Sequence, residues 1–263
     1  MGIKEVERIK AITKPIKAVI ISSQRSGSTF LTSYLDSHPQ VYCPFGEPLI
    51  GAQYKGNIPA ILSPYRVPSG LWLHIVSGAW RPVKLLDNFY ATQGASVNIC
   101  KVMYNQLTNI RARQYFLNNT DIRVIHLRRA NLLQQYVSKL IKLKGSKLGR
   151  KDPFPTKAVP VVSIYVSPQK AIKEMRRVQN WFHQYEQLLS KHPKIELVYE
   201  TMIVGQSLSP EAAKSVHNFL GLESVPMSSD LVKVNPQKLE LMVKNYDELA
   251  SNLKGTEFEC FLD

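Results

Sequence analysis

Acidic residues are scarce in this 263-residue chain: 20 Asp and Glu stand against 34 Lys and Arg, giving a formal charge of +14. A chain so short of negative charge favours a ligand or partner that carries it. Nucleic acid, an anionic lipid surface and a polyphosphorylated nucleotide all qualify, and composition does not choose among them. Cysteine is sparse as well. Cys43, Cys100 and Cys260 are odd in number, far apart and form no Cys-x-x-Cys pair, which argues against a disulfide framework or a zinc knuckle and leaves three reduced packing residues. No apolar run approaches the length that spans a bilayer, and the first 17 residues alternate charges with single apolar residues, without a signal-peptide core. These absences lead us to expect a soluble, cytoplasmic protein. Internal repeats and low-complexity tracts are also missing. What remains, 44% hydrophobic and 21% charged, is the composition of an ordinary folded protein, and the length suits a single α/β domain over 1–263.

The run Lys17-Ala-Val-Ile-Ile-Ser-Ser23 is short and β-branched and reads as a buried central strand. A helix is expected from Ser28, with Phe30, Leu31, Tyr34 and Leu35 at helical spacing and Pro39 closing the segment. Val97 to Met103, Ile122 to Leu127 and Lys194 to Tyr199 repeat the strand pattern. Helices are expected at Leu107 to Asn118, Asn131 to Lys144, Ser167 to Lys191 and Pro210 to Leu220, the last closed by Gly221. Alternating strands and helices imply a P-loop-like three-layer α/β fold, a central parallel sheet flanked by helices. The stretch 52–96 has little periodicity, contains Trp72 and Trp80, and is expected to be a substrate-side insertion.

Between the first strand and its helix lies Ser22-Ser-Gln-Arg-Ser-Gly-Ser-Thr29. Strand, tight loop and helix N-terminus together turn backbone N–H groups toward an anion. Gly27 permits close backbone approach, and Ser26, Ser28 and Thr29 offer hydroxyls. The blander reading is a serine-rich turn that caps a helix. A nucleoside triphosphatase loop needs a glycine where Ser22 stands and a lysine where Ser28 stands. Arg25 is the nearest cation, and its planar fork suits a phosphate or phosphosulfate oxygen pair. A second cationic corner, Leu127-Arg-Arg-Ala-Asn131, leaves a strand end and enters a helix carrying Ser138. In a parallel sheet such corners gather beyond the carboxyl ends of the strands, so two anion corners suggest a nucleotide with two separate phosphate positions.

The pairing of Ser23 to Leu31 with Leu127 to Ser138 resembles the PAPS-dependent sulfotransferases, particularly a bacterial branch that includes nodulation-factor and trehalose sulfotransferases. The resemblance extends to Phe45-Gly-Glu-Pro48, Cys100 to Gln106, Val198-Tyr-Glu200 and the tail from Lys233 to Thr256. It implies 3′-phosphoadenosine-5′-phosphosulfate (PAPS) as donor and adenosine 3′,5′-bisphosphate as product. It further implies Arg25, Ser26, Gly27, Ser28, Thr29 and Phe30 on the 5′-phosphosulfate and Arg128 and Ser138 on the 3′-phosphate. Arg129 shares that contact or forms a surface ion pair. Glu47 is implied as the base that takes the acceptor proton, against a turn-ordering glutamate, with His74 as the competing base. Lys101 is placed as a cation near the transferred group, against a strand-edge lysine facing solvent. His126 reads as structural.

The acceptor implied is a hydroxyl on a carbohydrate or glycolipid. Sulfuryl transfer carries less negative charge than phosphoryl transfer, and no carboxylate cluster suits magnesium, so no metal requirement is expected. The run Lys139 to Lys151 holds six cations and no acid; it reads as a solvated helix face, with peripheral membrane contact or cofactor steering as its functional alternatives. It lacks the interleaved aromatics of a single-strand platform, so no nucleic-acid partner is expected. A P-loop nucleotide kinase and a basic nucleic-acid-binding protein are the competing functions, and oligomeric state is open.

Overall fold

The computed structural model describes residues 14–44, 47–50, 80–92, 94–147, 163–231 and 238–262. Its centre is strand β1 (Ile16–Ser22), whose residues apart from Lys17 are β-branched or small and which is buried from Ala18 to Ser22. On one side β1 pairs with β3 (Val97–Met103), which in turn pairs with the two-residue strand β2 (Val41–Tyr42). On the other it pairs with β4 (Arg123–Arg128), and β4 with β5 (Lys194–Val198). Every pairing is parallel and the order is β2-β3-β1-β4-β5. The strand register brings Ser22 opposite both Met103 and Leu127, so the carboxyl ends of the three central strands finish level.

Alternation along β1 builds both outer layers. Ala18 and Ile20 face a cluster with Leu31, Tyr34 and Leu35 of α1 (Ser28–Asp36) and Val216 and Leu220 of α7 (Pro210–Leu220). Val19 and Ile21 face the opposite cluster. That cluster holds Leu86 and Tyr90 of α2 (Pro82–Tyr90), Tyr115 and Phe116 of α3 (Ile110–Asn118) and Tyr185 of α5 (Pro168–Leu188). A third cluster joins α4 (Leu132–Lys147) and α5 to α8 (Leu239–Met242) and α9 (Tyr246–Leu253). The three-layer α/β architecture expected from the sequence is the one observed. The expected insertion lies outside the described residues as far as 79; its later part forms α2, which packs on the sheet. Among the described residues no helix is long and apolar enough to cross a membrane.

Local chemistry accounts for the ends of the elements. Ser209 caps α7 by accepting from the Ala212 N–H at 3.3 Å, and Gly221 closes it at φ 69°. His126, read as structural, is fully buried in β4, shares a 2.7 Å hydrogen bond with the Tyr104 hydroxyl and lies 2.8 Å from Glu186. Cys43 and Cys100 are buried packing residues as expected, whereas Cys260 is exposed, because the short 3₁₀ turn Glu259–Phe261 carries it on the surface.

The β1–α1 loop has two residues in the left-handed region, Arg25 at φ 65° and Gly27 at φ 85°. Gly27 also meets the short helix α6 (Tyr199–Met202) that follows β5. A Cβ on residue 27 would stand 2.3 Å from Tyr199 Cδ2 and 3.2 Å from Met202 Cε. Only glycine satisfies both the backbone angle and the contact. Gly27→Ala is therefore expected to cost roughly 2–4 kcal/mol, the sum of a left-handed penalty and overpacking. Urea denaturation checks this, and adding Tyr199→Ala to the variant should relieve only the steric share.

Candidate active site

The loop delivers its N–H groups to the level end of the sheet. Leu31 N–H bonds to Gly27 O at 3.1 Å, beginning the helical ladder, so the preceding N–H groups of Ser28, Thr29 and Phe30 have no intrahelical acceptor. Ser26 is fully buried and its hydroxyl donates to Ser23 O at 2.7 Å, which closes the turn from within. Ser28 is buried at the helix start, and Phe30 packs against the α1-side cluster.

Two predicted residues far apart in sequence meet here. Arg25 Nε donates to Ser138 Oγ at 3.1 Å, joining the loop to α4. Among the described residues no carboxylate lies within ion-pair distance of Arg25. Burial pushes the pKa of its guanidinium below the usual range, and the neighbouring Arg129 charge pushes the same way, with Tyr199 opposing. The two arginines of the second motif diverge. Arg128 ion-pairs with Glu196 on β5 and lies over the Phe182 ring, 5.7 Å from its centroid. Arg129 is the buried one: its Nη1 donates to Arg25 O at 3.4 Å, its Nη2 to Gln134 at 2.9 Å and its Nε to Glu200 at 3.3 Å. Of the pair, Arg129 is thus brought to the loop and Arg128 is directed to the β5 side.

Glu200 does more than hold Arg129. Its carboxylate also accepts from the backbone N–H groups of Ala130, at 2.8 Å, and Asn131, at 3.3 Å, and so fixes the entry into α4. Tyr199 supplies the ring beneath Arg129, 4.8 Å from the guanidinium to the centroid, and the ring against Gly27.

On the β3 side, Lys101 is 3% exposed on an inner strand, which rules out the solvent-facing alternative. Its ammonium lies 3.4 Å from Thr29 Oγ1 and 3.8 Å from Glu47 Oε1. Burial pushes its pKa below the usual range, with Glu47 and Cys43 opposing. Glu47 Oε2 accepts from Gln106 Nε2 at 2.6 Å, while Gln106 Oε1 accepts from the Met103 N–H at 3.0 Å. That backbone donor fixes which way the buried amide points, and therefore which oxygen of Glu47 it holds. His74 lies outside the described residues.

Several site residues escaped the sequence reading. Gln106 and Gln135 lie within segments that carry the resemblance but have no role assigned there. Lys142 belongs to the basic run read as a solvated face and is exposed as expected, although partial desolvation and the like charges of Arg25 and Lys101 lower its pKa, with Glu47 opposing. Helical spacing supplied a clue, since Gln135, Ser138 and Lys142 share one face of α4. Lys139, from the same run, is half-buried and donates to Glu174 at 2.7 Å. Among the described residues, no three His, Cys, Asp or Glu side chains gather as metal ligands.

No protein-family model and no curated protein sequence matches the chain. Solved structures do. A crystal structure of a sulfotransferase from Alicyclobacillus acidocaldarius aligns over 95% of this chain and 96% of its own, at a TM-score of 0.50 and 13% identity. A sulfotransferase domain from the curacin biosynthetic pathway aligns over 81% of this chain and 76% of its own, at a TM-score of 0.46 and 16% identity. At 13% identity the first likeness establishes the shared fold alone.

The depressed Lys101 has a measurable consequence. Because its folded-state pKa lies below the unfolded one, the unfolded chain binds more protons between the two values, and stability rises with pH across that interval. The contribution is complete above about pH 10.4 and is lost as pH falls through the folded-state pKa. Denaturant melts of wild type and Lys101→Met should show the stability difference moving in favour of wild type between about pH 7 and about pH 10. A difference constant with pH would contradict this.

Proposed function

We propose that the protein is a sulfotransferase that moves a sulfuryl group from PAPS to an acceptor hydroxyl. The observation that carries this reading is the Arg25 to Ser138 hydrogen bond, which draws onto the second motif an anion-loop cation that meets no carboxylate among the described residues. The guanidinium of Arg25, which meets no carboxylate among the described residues, and the N–H groups at the start of α1 together suit a ligand with dense negative charge. The fold shared with a solved sulfotransferase supports the same reading.

In this reading the loop N–H groups from Ser28 to Phe30 and Arg25 hold the 5′-phosphosulfate, and Ser138 with Arg129 forms the 3′-phosphate side. Arg129 takes the part that the sequence resemblance gave to Arg128, because Arg129 is the arginine beside the loop. The acceptor oxygen bonds to sulfur as the bond from sulfur to the 5′-phosphate oxygen breaks. The electron pair leaves on that phosphate oxygen, and the acceptor proton passes to the Glu47 carboxylate. Gln106 and Lys101 orient Glu47, and Lys101, beside Thr29, supports the charge that develops on the leaving group. The acceptor hydroxyl is assigned to a carbohydrate or glycolipid.

Calorimetric titration with adenosine 3′,5′-bisphosphate, ATP and AMP, without and with magnesium, tests the reading. The bisphosphate should bind most tightly without metal, and Arg25→Ala or Ser138→Ala should weaken it by roughly tenfold or more, the loss expected for a charge-assisted contact. Equal or stronger binding of ATP, above all if it needs magnesium, would instead point to a nucleotide kinase.

A further inference from the structure

The beginnings of α2 and α3 carry an exposed apolar patch that the candidate site leaves unused. Trp80 is 57% exposed, Val83 41% and Ile110 50%. Singly such residues mean little, but these three border one seam. Arg111, the second residue of α3, donates through Nη1 to Trp80 O at 3.1 Å. One turn further along α3, the Tyr115 hydroxyl is hydrogen-bonded to Asp87 of α2. Val83 stands one turn before Asp87 on the same face of α2, between these two contacts, and Ile110 directly precedes Arg111.

Cations surround the patch. Arg81, Lys84 and Arg111 are all exposed, and among the described residues none of them forms an ion pair. Neither helix has an acidic residue in its first turn, where the helix dipole favours one, and Asp87, further along α2, is spent on Tyr115. The patch also has a definite place in the fold. Ile110 follows four residues after Gln106, which holds Glu47, and α2 runs from Pro82 back toward the start of β3 at Val97. Both helices therefore begin at the carboxyl edge of the sheet, the edge of the candidate site.

Apolar side chains ringed by cations fit a partner that is negative at its surface and apolar beneath. A second copy of the chain would set the same cations against one another. An acidic protein would have to match roughly 20–30 residues a side, of which three apolar side chains are a small part. An anionic bilayer asks for less: its headgroups meet the cations, the indole of Trp80 sits at headgroup level, and the aliphatic side chains reach the acyl boundary. We propose that the beginnings of α2 and α3 form a docking surface for an anionic lipid bilayer. Trp80 and Ile110 insert, and Arg81, Lys84 and Arg111 lie on the headgroups. Docking there brings the Glu47 edge of the sheet close to the membrane. The surface itself does not depend on the sulfotransferase reading.

The test is flotation of the full chain with vesicles of about 70% phosphatidylcholine and about 30% phosphatidylserine, and with vesicles of phosphatidylcholine alone. The protein should float with the mixed vesicles and bind phosphatidylcholine alone roughly tenfold or more weakly. Arg81→Gln with Lys84→Gln should weaken binding to the mixed vesicles roughly 25-fold, about fivefold for each cation. Trp80→Ser with Ile110→Ser should weaken it roughly tenfold or more, the loss of two inserted apolar groups. Lys191→Gln with Lys214→Gln removes two exposed cations elsewhere, before β5 and on α7, and should leave binding within about twofold. Quenching of tryptophan fluorescence by brominated phosphatidylcholine in the mixed vesicles reads insertion directly, and Trp80→Phe should remove most of it. Circular dichroism melts check that each variant is folded, and should the double variants fail to fold, quenching decides alone. Absence of flotation with the mixed vesicles, equal flotation with phosphatidylcholine alone, or binding undiminished in either folded double variant of the patch would overturn the proposal. Equal loss in the Lys191 and Lys214 variant, or quenching unchanged by Trp80→Phe, would do the same. A concentration-dependent dimer in light scattering that Trp80→Ser with Ile110→Ser abolishes would assign the patch to a second copy instead. Vesicle binding is read without donor or acceptor, so its outcome and that of the bisphosphate titration stand apart.

Discussion

The ring of Tyr199 occupies the space that a side chain on residue 27 would need, and most of the candidate site is arranged around that contact. Because the ring is there, the loop must pass it as bare backbone, which leaves the N–H groups of the following turn uncovered. The next residue, Glu200, ties the guanidinium of Arg129 and two backbone N–H groups at the entry to α4. Two consecutive residues at the end of β5 thereby set the loop, the second arginine and the start of the helix that bears Ser138. None of the three is positioned by the sheet alone.

Charge follows from this packing. A surface arginine can share its charge with water at little cost, but Arg25 and Arg129 stand close together in a partly closed space and oppose each other. Arg129 has Glu200 for relief. Arg25 has the hydroxyl of Ser138, a dipole in place of a charge. Such an arrangement favours an anion beside Arg25. On the β3 side the balance differs, since Lys101 and Glu47 partly neutralise each other at 3.8 Å.

The sheet was legible because its central strands are buried on both faces and so read as unbroken β-branched runs; Val97 to Met103 is the same in sequence and structure. The loop was legible from its place between a strand and a helix. Arg128 and Arg129 could not be separated, because where a strand ends decides which of two neighbours turns toward the loop, and ends are the least determined part of a pattern. Gln106 and Gln135 have their roles through contacts 59 and more than 100 residues away, which no local spacing encodes. Of the basic run, Lys142 and Lys144 lie exposed as the solvated-face reading expected, whereas Lys139 turns inward to Glu174, because composition reports charge and not direction.

Gln135 gives the geometry one more meaning. Its amide nitrogen grips the backbone of the loop, one helical turn before the hydroxyl of Ser138 meets Arg25. Loop and helix are therefore joined twice along one face of α4, and settling one of them constrains the other. Linkage makes the traffic between them reciprocal: any free energy by which a filled loop favours an ordered helix returns in equal measure to the loop. A substitution that loosens that face of α4 would then register as a change in anion affinity without touching the anion.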